Sequence, residues 1–309
     1  TVGSQINFES NIEGLEYSTM PHGSASSPSS DNSSEGCTHS VSVSELRPMR
    51  PPAPRPGRIS GTALPLGVHL SNGAYGTAHS LHLVLGGAYI ISLGAIAMAL
   101  TYVEVWVLQL LTGLPLSSML LSFAVPMDQE GLQIWEAVIS ILPFVNFILM
   151  LRLSAMSGYH AAEHKVVTAI EHFGHLRYED VVEMPRVHPR CGTVLLFGLI
   201  PTLLVAYPMW YVHPTAAILV ALLGWHFRYH TGYFVQNHFT TKTPTPAQLM
   251  AGIRAGQTLL DRWREDPTRQ VPWLRSLWIR GIPQMLMGLY IAQLIWGYVY
   301  VNLHLWLDF

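Results

Sequence analysis

The chain has 309 residues, 50% of them apolar and only 12% charged, with a net charge of −2. A soluble domain carries about a quarter charged residues, so the deficit points to a bilayer, and the near-zero balance offers nucleic acid no basic field. Two cysteines, Cys37 and Cys191, exclude a disulfide framework, and neither has a CxxC partner.

Residues 1–60 start at Thr1, show no signal-peptide pattern, and are rich in Ser, Gly, Pro and Asn. So polar a stretch buries too little apolar surface to offset its ordering entropy, and a disordered tail is expected. Residues 61–309 are expected to form one all-α, polytopic membrane domain. Residues 83–103 carry no charge for 21 positions, enough at ~1.5 Å per residue to cross a ~30 Å hydrocarbon core. Residues 134–151 supply a second span. Residues 192–227 lack Asp, Glu, Lys and Arg. Their centre, from Pro208 to Pro214, is aromatic and proline-marked, so they split into two short spans. Residues 281–307 supply the fifth.

All 17 Lys and Arg fall in the tail, in residues 152–190 or in residues 228–280. Five alternating spans put all of them on one face, which the positive-inside rule makes cytoplasmic, together with the N-terminus. Residues 245–265 read as an amphipathic helix. Thr245 can cap it, Pro246 suits its first position, and Leu249, Ile253, Leu260 and Trp263 recur near helical spacing. It is expected on the membrane surface or against the cytoplasmic segment.

The chemistry concentrates in residues 159–193. His160 and His164 are four apart, so on a helix they share a face and can grip one cation, with Glu163 on the same side. This is the H-x-x-E-H order in which histidines hold zinc and the glutamate activates water. Chance alone gives roughly 0.03 such matches in a chain of this composition. A zinc centre needs at least a third protein ligand. His188 and Cys191, just before a span, are the candidates, alone or together. The helix start and Arg190 are expected to lower the Cys191 thiol pKa. Cys191 as a covalent nucleophile is the lesser option.

Glu171 reaches the metal only if the helix breaks, or through an intermediary. His172 and His175 are expected to be solvated or capping. His226, Arg228 and His230 either complete the pocket or form an interfacial belt. Gln236, Thr240, Thr241 and Lys242 form a polar link that binds an anionic headgroup or caps the next helix.

The run Tyr159-His160-Ala161-Ala162-Glu163-His164-Lys165, then Glu171, then His188-Pro189-Arg190-Cys191-Gly192-Thr193 resembles the YqhQ-like bacterial membrane proteins. That family is of unknown function and is often labelled as predicted metal-dependent enzymes. The family's Y-H-G-A-E-H-K and H-x-R-C-G-[ST] motifs are matched, with Ala161 replacing a glycine. Gln236 to Pro244 resembles its Q-x-x-T-T-x-x-P. The resemblance covers about residues 134–262. It also leads to an expected Gly-Gly-Gln-Ala-Val-x-Glu-Gly-Val-Met-Met stretch before the first span, and residues 61–80 read differently.

These readings lead to an expected membrane-embedded, metal-dependent hydrolase in the inner (plasma) membrane. A divalent metal, zinc in first place, is held by His160 and His164 with His188 or Cys191, and Glu163 is the general base. The substrate is a peptide or lipid reached from the inner leaflet, and no nucleic acid is involved. The alternative is a scaffold or assembly factor in which four protein ligands close a structural zinc clip. A transporter ranks last, because the spans hold few ionisable residues.

Overall fold

The computed structural model describes residues 56–117 and 132–307. The expected tail lies outside the described residues as far as position 55, and so does Cys37. Residues 56–59 lead into a hairpin of two antiparallel strands, β1 (Ser60–Leu64) and β2 (Gly67–Ser71). Leu64 pairs with Gly67 and Ser60 with Ser71, so Pro65 and Leu66 make the turn. The fold is therefore mostly helical but not all-α. Five-residue strands are too short to give a firm periodic signal.

Helices follow in order: α1 (Ser80–Thr112), α2 (Leu132–Leu153), α3 (Met156–Phe173), α4 (Tyr178–Glu183), α5 (Gly192–Val212) and α6 (Pro214–Val235). A π-helical turn, Gln236–Thr240, leads to α7 (Pro246–Glu265), α8 (Trp273–Ile279) and α9 (Ile282–Leu307). The hairpin, α3, α4 and α7 form a hub. Its core joins Ile59, Val68 and Leu70 to Val166 and Ile170 of α3, Val181 of α4, and Leu249, Ile253 and Leu260 of α7. Thr245 caps α7 in a reciprocal box with Gln248, and Pro246 takes the first turn. The amide of Gln248 also donates to the Ala155 carbonyl at 3.1 Å, which ties α7 to the start of α3. The apolar face of α7 is thus spent on the hub rather than on lipid.

Among the described residues, Ser80–Thr112 and Ile282–Asn302 are long and apolar enough to cross a membrane. A third candidate is the pair α2 and α3, bent by 68° at its break. Ser157 makes that corner by donating to the carbonyls of Arg152 and Ser154 at 3.0 and 3.1 Å. Beyond it α3 is enclosed by the hairpin and α7, with twelve buried residues that include Glu163 and His164. It belongs to the hub.

The long helices pack through glycines, as bilayer helices do when small residues let backbones approach. In α1 and α9, which run parallel, a Cβ on Gly288 would lie 1.9 Å from the Val84 carbonyl, and one on Gly87 would lie 2.1 Å from the Met285 carbonyl. In the antiparallel α5–α6 pair, Gly198 meets the Arg228 carbonyl and Gly232 that of Val194. Gly288→Val must therefore push α9 off α1, and overpacking of this kind costs roughly 1–3 kcal/mol or more. The expected result is a thermal midpoint in detergent lowered by several degrees. An unchanged midpoint would disprove the close packing.

His69 of β2 joins the hub to the end of α8. It is buried, accepts from the Ala78 N–H at 3.0 Å, and so donates through Nε2 to the Ile279 carbonyl at 3.1 Å. Burial lowers its pKa and keeps this ring neutral.

Candidate metal centre

Helix α3 presents His160 and His164 one turn apart, their rings edge-on with centroids 4.3 Å apart. Backbone carbonyls fix both tautomers. His160 donates from Nδ1 to the Thr240 carbonyl at 3.0 Å. That carbonyl is aimed by the π-helical turn, a distortion that recurs at functional sites. His164 donates from Nδ1 to the Arg186 carbonyl at 2.8 Å. In each ring Nε2 is left unprotonated, the arrangement that metal-ligating histidines adopt.

Nε2 of His160 lies 3.2 Å from Cys191 Sγ. Nε2 of His164 is buried and has no hydrogen-bond partner among the described residues. Such an orphan costs about 1–3 kcal/mol. A cation bound there would remove the penalty. One donor atom each from His160, His164 and Cys191 lies within 4.8 Å of the other two. Two imidazoles and a thiol are the donors that zinc prefers.

A relay holds Cys191 in place. Its Sγ is 3.1 Å from the Thr193 hydroxyl, which accepts from the Gln236 amide at 3.1 Å. The same amide's oxygen accepts from the His188 N–H at 2.9 Å. Cys191 stands at the N-cap position of α5, as its place in the sequence suggests, without a side-chain capping bond. Its thiol pKa nevertheless moves up, because burial outweighs the hydrogen bonds that favour thiolate. The expected depression by the helix start and Arg190 is corrected: without a cation this sulfur stays a thiol.

His188 is not among the three converging donors. Its Nδ1 accepts from the Arg190 N–H at 3.3 Å, and its Nε2 lies 3.6 Å from a Glu171 oxygen. Its ring sits 5.7 Å from that of His164. Glu171 also pairs with the Arg190 guanidinium. These contacts hold its carboxyl below the usual range despite an opposing push from burial. Glu171 and His188 thus brace the loop that carries Cys191.

Glu163 is 6% exposed and accepts no hydrogen bond from the described residues. Its carboxyl lies on the backbone of Gly61, where a Cβ would stand 2.3 Å from Oε1. A side chain at position 61 would force the Glu163 carboxyl to move. Desolvation pushes its pKa up to about 8, against the opposing influence of His160. Burial also drives the His164 pKa well down, so that ring is a neutral donor. Glu163, His164, His188 and Cys191 line a cleft of about 480 Å³ whose other walls include Arg58, Ser60, Gly61, Arg190 and Arg280.

The remaining candidates lie elsewhere. His172 is exposed, and His175 faces Asp180 at 3.8 Å. His226 and His230 are exposed on α6 and flank Phe227, which leaves them out of the pocket. Lys242 donates to the Ser154 carbonyl at 2.7 Å, so it braces the α2–α3 corner rather than a headgroup. Arg58, Gly61 and Arg280 line the cleft without any motif that marks them in the sequence. Their one sequence signal was the Gly67-Val68-His69-Leu70 alternation of the strand beside them.

No curated protein and no solved structure matches the chain. The model of a family described as protein of unknown function, DUF1385, matches residues 69–225, a stretch that runs from the hairpin through α3 and Cys191 into α6. The chain belongs to the DUF1385 family.

Proposed function

We propose that this protein is a metal-dependent hydrolase set in a membrane, with zinc held by His160, His164 and Cys191. The observation that carries the reading is the buried, unpartnered Nε2 of His164 beside two further donors. Three protein donors next to a cleft leave a position open, which supports catalysis over a closed four-ligand clip. When bound, the cation supplies Lewis acidity toward water and toward a substrate carbonyl or phosphoryl group. Glu163 takes up a proton at its carboxylate. A pKa near 8 without metal, lowered by a neighbouring cation, brings it close to the operating range of a general base. The Thr240 and Arg186 carbonyls keep both imidazoles in the ligating tautomer.

We read α1, α2, α5, α6 and α9 as five spans. Each has one end at the hub, and every Lys and Arg among the described residues lies in the hub or within the hub-side turns of these helices. By the positive-inside rule the hub and its cleft face the cytoplasm. The likeness to YqhQ-like proteins draws support from the hairpin. Against the stretch that the resemblance calls for, residues 60–70 keep Gly61, Ala63, Gly67 and Val68 in register, with Leu66 at the position of its glutamate. Gly61 is also the residue against which the Glu163 carboxyl packs.

The test is turnover of peptide and lipid-ester libraries by zinc-loaded protein in bilayers. Glu163→Gln should lower turnover by roughly 10²–10⁴, the usual share of a general base, and leave metal content intact. Equal turnover by the variant would remove Glu163 from the mechanism.

A further inference from the structure

The cleft has more positive charge than a metal site needs. Three guanidinium groups line it from three separate parts of the chain: Arg58 before β1, Arg190 before α5 and Arg280 after α8. Arg190 is already paired with Glu171. Arg280 donates to the neutral Ser60 hydroxyl at 3.0 Å, which aims it along the β1 edge. Arg58 is exposed and has no partner among the described residues. Guanidinium groups are the side chains best shaped for bidentate contact with an oxyanion.

Charge balance narrows the oxyanion. Three arginines against Glu163 and Glu171, both counted as anions, leave one net positive charge. A divalent cation with a Cys191 thiolate adds one more, giving two. A carboxylate cancels one charge, whereas a phosphate monoester carries about −1.5 to −2 at neutral pH.

The cleft's setting also bears on the source of that phosphate. Arg280 directly follows α8, whose Trp273, Leu274 and Trp278 are 70%, 63% and 53% exposed. Exposed tryptophans beside the start of an apolar helix mark headgroup level.

We propose that the cleft binds a phosphate monoester, gripped by Arg58 and Arg280 with Arg190 beside them, next to the His160–His164–Cys191 centre. This rests on the metal-centre reading for its charge count and names the substrate class of that site. The phosphoryl group comes either from a lipid headgroup or from a soluble ester, and both present the same chemistry to the arginines.

The experiment uses full-length, zinc-loaded protein in nanodiscs of a zwitterionic lipid. Phosphatidic acid is one probe and glycerol phosphate the other, with acetate as the carboxylate comparison. Wild type should bind at least one of the two phosphates and bind acetate at least tenfold more weakly. Arg58→Ala, at an exposed side chain with no partner among the described residues, should weaken phosphate binding about tenfold or more, the scale of one charged hydrogen bond. Arg280→Lys, which keeps the charge but loses the fork, should weaken it to a lesser degree. Binding of phosphatidic acid alone assigns the lipid source, and binding of glycerol phosphate assigns the soluble one. Binding that is unchanged in Arg58→Ala, or acetate that binds as well as phosphate, overturns the proposal. Metal content measured on the same samples separates the two readings: a wild type without zinc fails the metal centre, and a zinc-loaded wild type that ignores phosphate fails this inference alone.

Discussion

His164→Ala should leave the protein nearly free of metal, where wild type purified under zinc should carry about one ion per chain. Structural zinc sites bind with roughly 10–16 kcal/mol. Loss of one donor of three forfeits roughly a third of that, so affinity should fall by about 10²–10⁴. His164 is the most informative of the three donors, because its Nε2 has no other role. His160 has Nε2 against Cys191 even without an ion, so His160→Ala also breaks a packed contact, though it should lose metal to the same degree. His188→Ala is the contrasting variant. His188 braces Glu171 and the Cys191 loop from outside the donor set, and losses from such supporting groups are about 10–100-fold. Elemental analysis of the three variants beside wild type checks the ranking. Equal metal in wild type and His164→Ala would refute the centre.

The parts of this site that could be read along the chain are those that helical geometry brings together. His160 and His164 are four apart, and Cys191 stands at a helix start, so local periodicity predicts both positions. The sign of the Cys191 shift is not legible in the sequence, because helix start and Arg190 are local features, whereas the desolvation that raises the pKa, against the Thr193 and Gln236 hydrogen bonds, comes from the tertiary fold. Long-range partners leave no such trace. The contact of Gly61 with Glu163 joins positions 102 residues apart, and Arg280 meets Ser60 across 220. The hairpin is not legible in the sequence because its strands are short, and its buried apolar residues share the hub core with three helices. The long helices were legible from their charge-free runs. Two of them meet the length and apolarity of a span outright. α6 falls short because His226, Arg228 and His230 interrupt its second half, and α3 turns aside at the Ser154–Ser157 corner.

Metal binding should release about two protons per ion at pH 7, and one of them belongs to Glu163. In the metal-free protein burial keeps Cys191 a thiol, and Glu163, with a pKa of about 8, is about nine-tenths protonated at pH 7. A cation between His160, His164 and Cys191 must take the sulfur as thiolate, which frees one proton. Its positive charge also favours the Glu163 carboxylate, which frees most of a second. Calorimetry in buffers of different ionisation enthalpy counts them. The release should fall toward one proton at pH 9, where Glu163 is already ionised, and Glu163→Gln should release one at both pH values. The same shift sets a stability slope in metal-free protein. The folded-state pKa lies above the ordinary value of 4.5, so folding holds the proton more tightly than the unfolded chain does. That contribution is complete below about pH 4.5 and is lost as pH rises through 8, with a size on the order of a few kcal/mol. Metal-free Glu163→Gln should therefore lose less thermal stability between pH 6 and pH 9 than metal-free wild type. Parallel pH curves, or a single proton released by wild type at pH 7, would mean that the carboxyl on Gly61 is already ionised before any cation arrives.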